Sequence, residues 1–289
     1  MSKFIIMIPV YNDWESLIKL LDEINKSING LKKLKFECVI INDASTSIAP
    51  KINVPSNISS VNIIDMKKNK GHARCNAFGI RYFAKISNYD YLILMDADGE
   101  DRPEEIKLLV EKMLSEKNVS VVAKRIKRSE GLIFQSLYQL HKLITIIFAG
   151  KNINFGNYSC LTKADIITLS LKESLWSTFS GSLKKHIPKL NSINSTRGTR
   201  YFGPSKMSLF KLGIHSFSII AAFKNTVFIR SAILLIISSY FIETGLPIIV
   251  FQILLVLFNL MIYLVSLREN KKEFLNSELD EGEKKSYTH

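Results

Sequence analysis

Residues 92–106 read Leu-Ile-Leu-Met-Asp-Ala-Asp-Gly-Glu-Asp-Arg-Pro-Glu-Glu-Ile. Tyr91 to Met95 is an apolar run of strand length. Asp96, Asp98, Glu100 and Asp101 follow it, and Pro103 then stands where a helix tolerates proline, ahead of a helix predicted over Glu104 to Ser115. Four acids within six residues repel one another, and a bound cation relieves that repulsion. A plainer alternative leaves them as caps on the helix that follows.

Working outward, the same alternation recurs. Strands are predicted at Phe4 to Ile8, Phe36 to Ile41, Val61 to Ile64 and Val119 to Ala123, and helices at Trp14 to Ile24 and His72 to Lys85. Leu17, Leu20, Leu21 and Ile24 fall at helical spacing behind a cap at Asn12 or Asp13. Strands alternating with helices imply an α/β fold with a mostly parallel sheet, in which ligands bind at the carboxyl ends of the strands. Those ends read Pro9-Val-Tyr11-Asn12, Asn42-Asp43-Ala-Ser45 and Asp96 to Asp101. Neither GxGxxG nor GxxxxGK[ST] is present, which argues against dinucleotide oxidoreductases and P-loop NTPases. Acids at a strand end hold phosphate through a hard divalent cation, Mg²⁺ or Mn²⁺.

Composition sets the outer limits. The chain has 289 residues and is 47% hydrophobic, which excludes a disordered protein. Three scattered cysteines, Cys38, Cys75 and Cys160, suit reduced thiols in a cytosolic compartment and exclude a disulfide-stapled module. Phe4 to Val10 is too short, and runs too soon into polar sequence, for a signal peptide. The net charge of +13 asks for an anionic partner. Its placement favours a membrane surface. From Glu173 to Glu243 no acid intervenes, while Lys184, Lys185, Lys189, Arg197, Arg200, Lys206, Lys211, Lys224 and Arg230 do. Nucleic acid is disfavoured, because these charges lie beside apolar runs and lack interleaved aromatics.

Gly245 to Leu267 is an uncharged run of 23 residues, enough to cross about 30 Å of hydrocarbon. A shorter run before it, with Arg230 snorkelling toward headgroups, completes a hairpin of two transmembrane helices at about 227–243 and 245–267. The buried hairpin of a soluble core is the alternative. Domains are therefore expected at 1–210 (a cytosolic catalytic unit), 211–226 (an interfacial juxtamembrane helix), 227–267 (the hairpin) and 268–289 (a mixed-charge tail read as disordered on the cytosolic side). This makes a two-pass membrane protein with its large domain facing the cytoplasm.

The segments IPVYND, VIINDAS, NKGHARCNAFGI and LILMDADGEDRPEEI, in this order, resemble glycosyltransferase family 2 with its GT-A nucleotide-diphospho-sugar transferase fold, a Rossmann-like arrangement. The likeness continues through RIKRSEGLIFQSLYQL, INFGNYSCL and TRGTRYFGPSKMSLFKL, as in the membrane-anchored polyprenyl-phosphate members of the dolichol-phosphate mannose synthase type. By that resemblance Pro9 and Tyr11 line the nucleoside pocket and Asp43 accepts from the base. Asn69, Gly71 and Arg74 follow the third strand, with Arg74 toward the diphosphate. Asp96 and Asp98 are the catalytic acids expected first, with Asp98 as metal ligand, Asp96 near ribose or metal, and Glu100 as a second ligand. Lys124, Arg125, Lys127 and Arg128 meet the leaving diphosphate or the acceptor, and Arg200, Ser205 and Lys206 approach donor and acceptor. The family usually carries two acids at the end of the second strand, and here Asn42 stands in the first place. His72, His141, His186 and His215 show no metal spacing and are expected only to pack or hydrogen-bond.

Inverting transfer to a hydroxyl needs a carboxylate base. Between Lys124 and Arg200 only Glu130, Asp165 and Glu173 are acidic, and none forms a pair. Glu130 or Asp101 folding into the site stays open as a base. The expected function is metal-dependent inverting transfer of a sugar from a nucleotide-sugar donor to a membrane lipid, polyprenyl phosphate first. A hydroxyl of a cell-surface polysaccharide or lipopolysaccharide intermediate is the alternative acceptor. A non-catalytic membrane adaptor with a vestigial pocket, supported by Asn42 alone, is the alternative of another class. The resemblance is compatible with a homo-oligomer.

Overall fold

The structure is a computed structural model. It describes residues 1–127, 132–204, 208–241 and 245–289. In chain order the elements are β1 (Lys3–Val10), α1 (Trp14–Ile28), β2 (Lys35–Asn42), β3 (Val61–Met66), α2 (His72–Lys85), β4 (Tyr91–Leu94), α3 (Ile106–Ser115), β5 (Val121–Lys127), α4 (Leu132–Ile144), β6 (Phe155–Thr162), α5 (Lys163–Ser170), α6 (Phe179–His186), β7 (Asn191–Thr196), α7 (Leu209–Ala221), α8 (Lys224–Phe241), α9 (Leu246–Ser266), α10 (Lys271–Leu275) and β8 (Glu281–Tyr287).

One eight-stranded sheet, in the order β7-β5-β6-β4-β1-β2-β3-β8, organises the chain. Its centre, β3-β2-β1-β4, is parallel, and β5 pairs parallel with β7. Three junctions, β4 with β6, β5 with β6 and β3 with β8, are antiparallel. The sheet is thus mixed, whereas the alternation predicted a mostly parallel one. The parallel strands lie between two apolar layers, and their near-continuous hydrophobic runs reflect that burial on both faces. Pro9 fits inside β1 because pairing with β4 stops at Met7 and Leu94, so no ladder bond is owed on that side at Pro9.

The tail is the largest departure from expectation. Residues 268–289 form α10 and β8 and close the sheet beyond β3. Phe274 is fully buried, edge-on to Trp176 at 6.2 Å and beneath the Arg81 guanidinium at 4.4 Å. The α/β unit is therefore built from two separated stretches of chain and does not end near residue 210.

Between them lie the apolar helices. Leu246–Leu275 contains a run of mean hydropathy 2.7, little of it buried, that is long and apolar enough to cross a membrane. Among the described residues, a second such element arises only if α7 and α8, bent by 83°, count as one span. α8 and α9 are clasped together by Gln252, whose amide donates to Ser238 and Ser239 at 3.0 and 3.1 Å. The expected turn between them at 242–244 lies outside the described residues. The Arg230 guanidinium donates to the carbonyls of Ile146 and Ile147, sealing the helical end that Gly150 (φ +66°) terminates.

Candidate active site

Because β3, β2, β1, β4, β5 and β7 run the same way, their carboxyl ends open on one edge, joined there by the starts of the antiparallel β6 and β8. That edge collects Tyr11, Asp43, Asn69, the acids Asp96 to Asp101, Arg125 and Arg200.

On the β2 and β3 side, Asp43 is buried. Its two carboxylate oxygens accept from the backbone N–H groups of Lys70 (2.7 Å) and Gly71 (2.8 Å), and its carbonyl accepts from the Asn69 side chain at 3.1 Å. Burial pushes its pKa up, and those two amides pull it back. Gly71 has φ +87°, the conformation that lets the chain turn from this loop into α2. The amino end of α2, a helix of 14 residues, thus faces the strand ends, an arrangement suited to phosphate. Asn42 donates to Asp65 of β3 at 2.7 Å and accepts from the backbone of Ser45. It bridges two strand ends where the family usually has an acid. Asn12, with φ 50°, accepts from the backbone of Thr46 and Ser47 and so ties the β1 end to the β2 end. Pro9 is buried inside β1, and Tyr11 stands half-exposed on the rim.

On the β4 side the acids fold into a tight turn. Asp101 accepts from the backbone N–H of Asp96, and Asp98 from that of Glu100, each at 3.0 Å. Burial first, and then the Asp96 charge, push Asp98 up to about 6 and Asp101 up to about 8. Two groups of arginines offset this crowding. Arg125 of β5 lies 4.0 Å from Asp101. The segment after β7 straps over the turn: Arg200 pairs with Asp98 and, at 3.3 Å, with Asp13, while Arg197 pairs with Glu100. The strap is fastened by backbone bonds from Gly198 to Glu100 and from Tyr201 to Asp98. Its closeness demands glycine on both sides. A Cβ on Gly198 would sit 2.4 Å from the Gly99 carbonyl, and one on Gly99 (φ +88°) 2.7 Å from the Tyr201 ring.

Between the two sides, Asp96 meets His72 at 3.4 Å and Asn157 at 3.4 Å, and the His72 ring and the Asn157 amide are 2.7 Å apart. His72, expected to pack or hydrogen-bond, does the latter, and does so within the site. Sequence reasoning also passed over Asp13 and Asn157 as site residues. Position was the available signal, since Asp13 closes the first strand and His72 adjoins Gly71 at the helix start. Arg74 does not turn to the acids; its guanidinium lies over Trp176 and 3.7 Å from Glu273 of the tail. Lys124 lies within β5, exposed. Arg128, Ser205 and Lys206 lie outside the described residues.

Among the described residues, no three acids, histidines or cysteines gather on one point. The donor set nevertheless fits a hard dication that keeps water and takes its remaining oxygens from a diphosphate, for which one or two carboxylates suffice. Asp98 and Glu100 are carboxylates on one turn, and the crowding that raises Asp98 is relieved by added positive charge.

Fold and site together define an α/β nucleotide-sugar-transferase architecture of the GT-A kind. The chain belongs to glycosyl transferase family 2, whose pattern it matches over residues 5–179. It is 28% identical over 217 residues to an undecaprenyl-phosphate 4-deoxy-4-formamido-L-arabinose transferase of Proteus mirabilis. It is 30% identical over 224 residues to the protein of that name from Salmonella choleraesuis. Each alignment covers 73% of this chain, and the chain spans about 64% of the length of these curated relatives. Among solved structures, glucosyl-3-phosphoglycerate synthase of Mycobacterium tuberculosis, in complex with Mn²⁺, UDP-glucose and phosphoglyceric acid, superposes with a TM-score of 0.52 at 15% identity. The superposition covers 78% of this chain and 80% of that one. The same enzyme is also known with Mg²⁺ and UDP.

Proposed function

We propose that this protein is an inverting glycosyltransferase that moves a sugar from a nucleotide-sugar donor onto the phosphate of a polyprenyl-type membrane lipid. The observation that carries the reading is the meeting, on one sheet edge, of the Asp43 pocket, the Asp96–Asp101 turn and the cations Arg125 and Arg200. The relatives named for transfer to undecaprenyl phosphate support the acceptor class.

In this reading Asp43 and the loop it holds receive the nucleoside, with Tyr11 on the rim. Asp98 and Glu100 hold Mg²⁺ or Mn²⁺, which when bound neutralises the diphosphate and its leaving-group charge. An acceptor phosphate oxygen attacks the anomeric carbon from the face opposite the diphosphate, and the bond to the diphosphate oxygen breaks as the new bond forms. Arg125 and Arg200 stabilise the charge on the departing diphosphate. No general base is required, since a phosphate acceptor is already ionised. Two acids of the acceptor half are engaged elsewhere, Asp165 by Ser120 and Glu173 by Lys271. The Asp96–His72 pair favours a second reading, in which it takes the proton from a hydroxyl acceptor.

The anchor reading is a two-helix crossing with the α/β unit on the cytoplasmic side. The sheet supports an even number of crossings, because β7 precedes the apolar helices, β8 follows them, and both belong to one sheet. The α8–α9 clasp and the unbroken basic stretch before them support the same arrangement. The test is incubation of membranes holding the full chain with labelled nucleotide sugars. Label in an organic-extractable lipid, lost with Asp98→Ala, is expected. Label only in water-soluble glycan would reject the lipid acceptor.

A further inference from the structure

We infer that the tail following the membrane helices is part of the donor site, and that Asp280 is a positioning residue for the loop that holds Asp43 and Glu273 one for Arg74 at the start of α2. This rests on the donor reading of that pocket. The loop, residues 67–71, runs from β3 to α2 and is gripped from two sides. On the inner side its Lys70 and Gly71 amides donate to Asp43 and its Asn69 side chain to the Asp43 carbonyl. On the outer side every anchor comes from the tail. The Lys67 backbone N–H donates to the Asp280 carbonyl at 2.8 Å, and the Lys67 ammonium to the Leu279 carbonyl at 2.9 Å. The Lys70 ammonium lies 3.5 Å from the Asp280 carboxylate. Just beyond the loop, Glu273 receives the Trp176 indole N–H at 3.1 Å and faces Arg74 at 3.7 Å, which places that guanidinium on the first turn of α2.

The tail reaches this place as a docked body. Arg81 of α2 donates to Ser277 and Leu275, and Phe274 fills the space beneath it. β8 then pairs with β3 so closely that a Cβ on Gly282 would lie 2.8 Å from the Asp65 carbonyl. Asp65 is also the partner of Asn42. Both the loop that holds Asp43 and the Asn42–Asp65 bridge beside it thus lean on sequence that begins only after α9. The pocket's shape depends on the chain having passed the membrane helices and returned, so placement of the anchor and readiness for donor are linked. The acid turn makes none of these tail contacts, which separates donor binding from the chemical step.

The experiment uses the full chain in detergent. UDP, GDP, CDP and ADP are titrated with Mn²⁺, followed by steady-state transfer with the best-bound donor. Glu273→Gln combined with Asp280→Asn is expected to weaken nucleoside diphosphate binding and raise donor KM about tenfold, with kcat within about twofold. Asp280→Glu, which keeps the charge, should recover most of the affinity, and Glu283→Gln, on the outer edge of β8, should change nothing. Equal affinity in the double variant and the parent would overturn the inference, as would a fall in kcat with KM unchanged. If the parent binds none of the four nucleotides, the donor reading itself fails, and that outcome is distinct from parent and variant binding alike.

Discussion

The two sides of the strand-end opening satisfy their carboxylates by different means. Asp43 is met by backbone amides fixed by a loop, a helix start and a returning strand. Asp98 and Glu100, only half-buried, are met by guanidiniums at the ends of long side chains on a strap, with a single backbone N–H, that of Glu100, reaching Asp98. Backbone partners persist as long as the fold does, whereas a guanidinium can withdraw and leave its place to a dication and diphosphate. In the proposed function, the contrast would separate a fixed wall that receives the nucleoside from a charge site whose occupant is exchangeable.

If the recognition wall depends on the tail, the heaviest loss comes from undocking it. Phe274→Ala removes a fully buried ring, and about 3–5 kcal/mol of unfolding free energy should disappear in denaturant titration of the full chain. A loss below about 1 kcal/mol would mean the tail is a passenger. Asp98→Ala attacks the exchangeable side. Transfer should fall by a factor on the order of 100 to 1000, while the unfolding midpoint holds or rises because a crowded acid has gone. Asp43→Ala is expected to do the reverse in character. Two amides lose their partners, so stability should drop by about 2 kcal/mol together with nucleotide affinity. The smallest effect belongs to Gly99→Ala. The positive φ and the Tyr201 ring should cost about 1–2 kcal/mol and loosen the strap, read as faster proteolysis within residues 197–204. If Asp98→Ala and Asp43→Ala lower stability and activity in equal proportion, the division between fixed and exchangeable sides is wrong.

The parallel centre was legible because strands buried on both faces advertise themselves as apolar runs: Phe4 to Ile8, Phe36 to Ile41 and Tyr91 to Met95 all lie in strands or at their ends. The polar residues closing them, Asp43 and Asp96 to Asp101, were legible for the same reason. Edge strands were not. β7 reads Asn-Ser-Ile-Asn-Ser-Thr and β8 reads Glu-Gly-Glu-Lys-Lys-Ser-Tyr; both exist through backbone pairing with a neighbour distant in sequence, and such polar or charged edges bury too little to leave an apolar pattern. The partners of Arg74 and Arg230, Glu273 and the carbonyls of Ile146 and Ile147, were not legible because they lie 83 to 199 residues away and no local spacing announces them. Asn42 was read as a missing acid. Its value lies in the amide, which can donate to Asp65 while accepting from Ser45, as a carboxylate cannot.

The central claim is transfer of sugar to a lipid phosphate at this strand-end opening. Its most direct test is mass spectrometry of lipids recovered after the full chain, undecaprenyl phosphate, Mg²⁺ and a panel of nucleotide sugars are incubated together. A new species with the mass of polyprenyl phosphate plus one sugar is predicted, sensitive to mild acid, absent with EDTA and absent with Asp98→Ala. Sugar found only on a hydroxyl acceptor, or unchanged polyprenyl phosphate with every donor, would contradict the account.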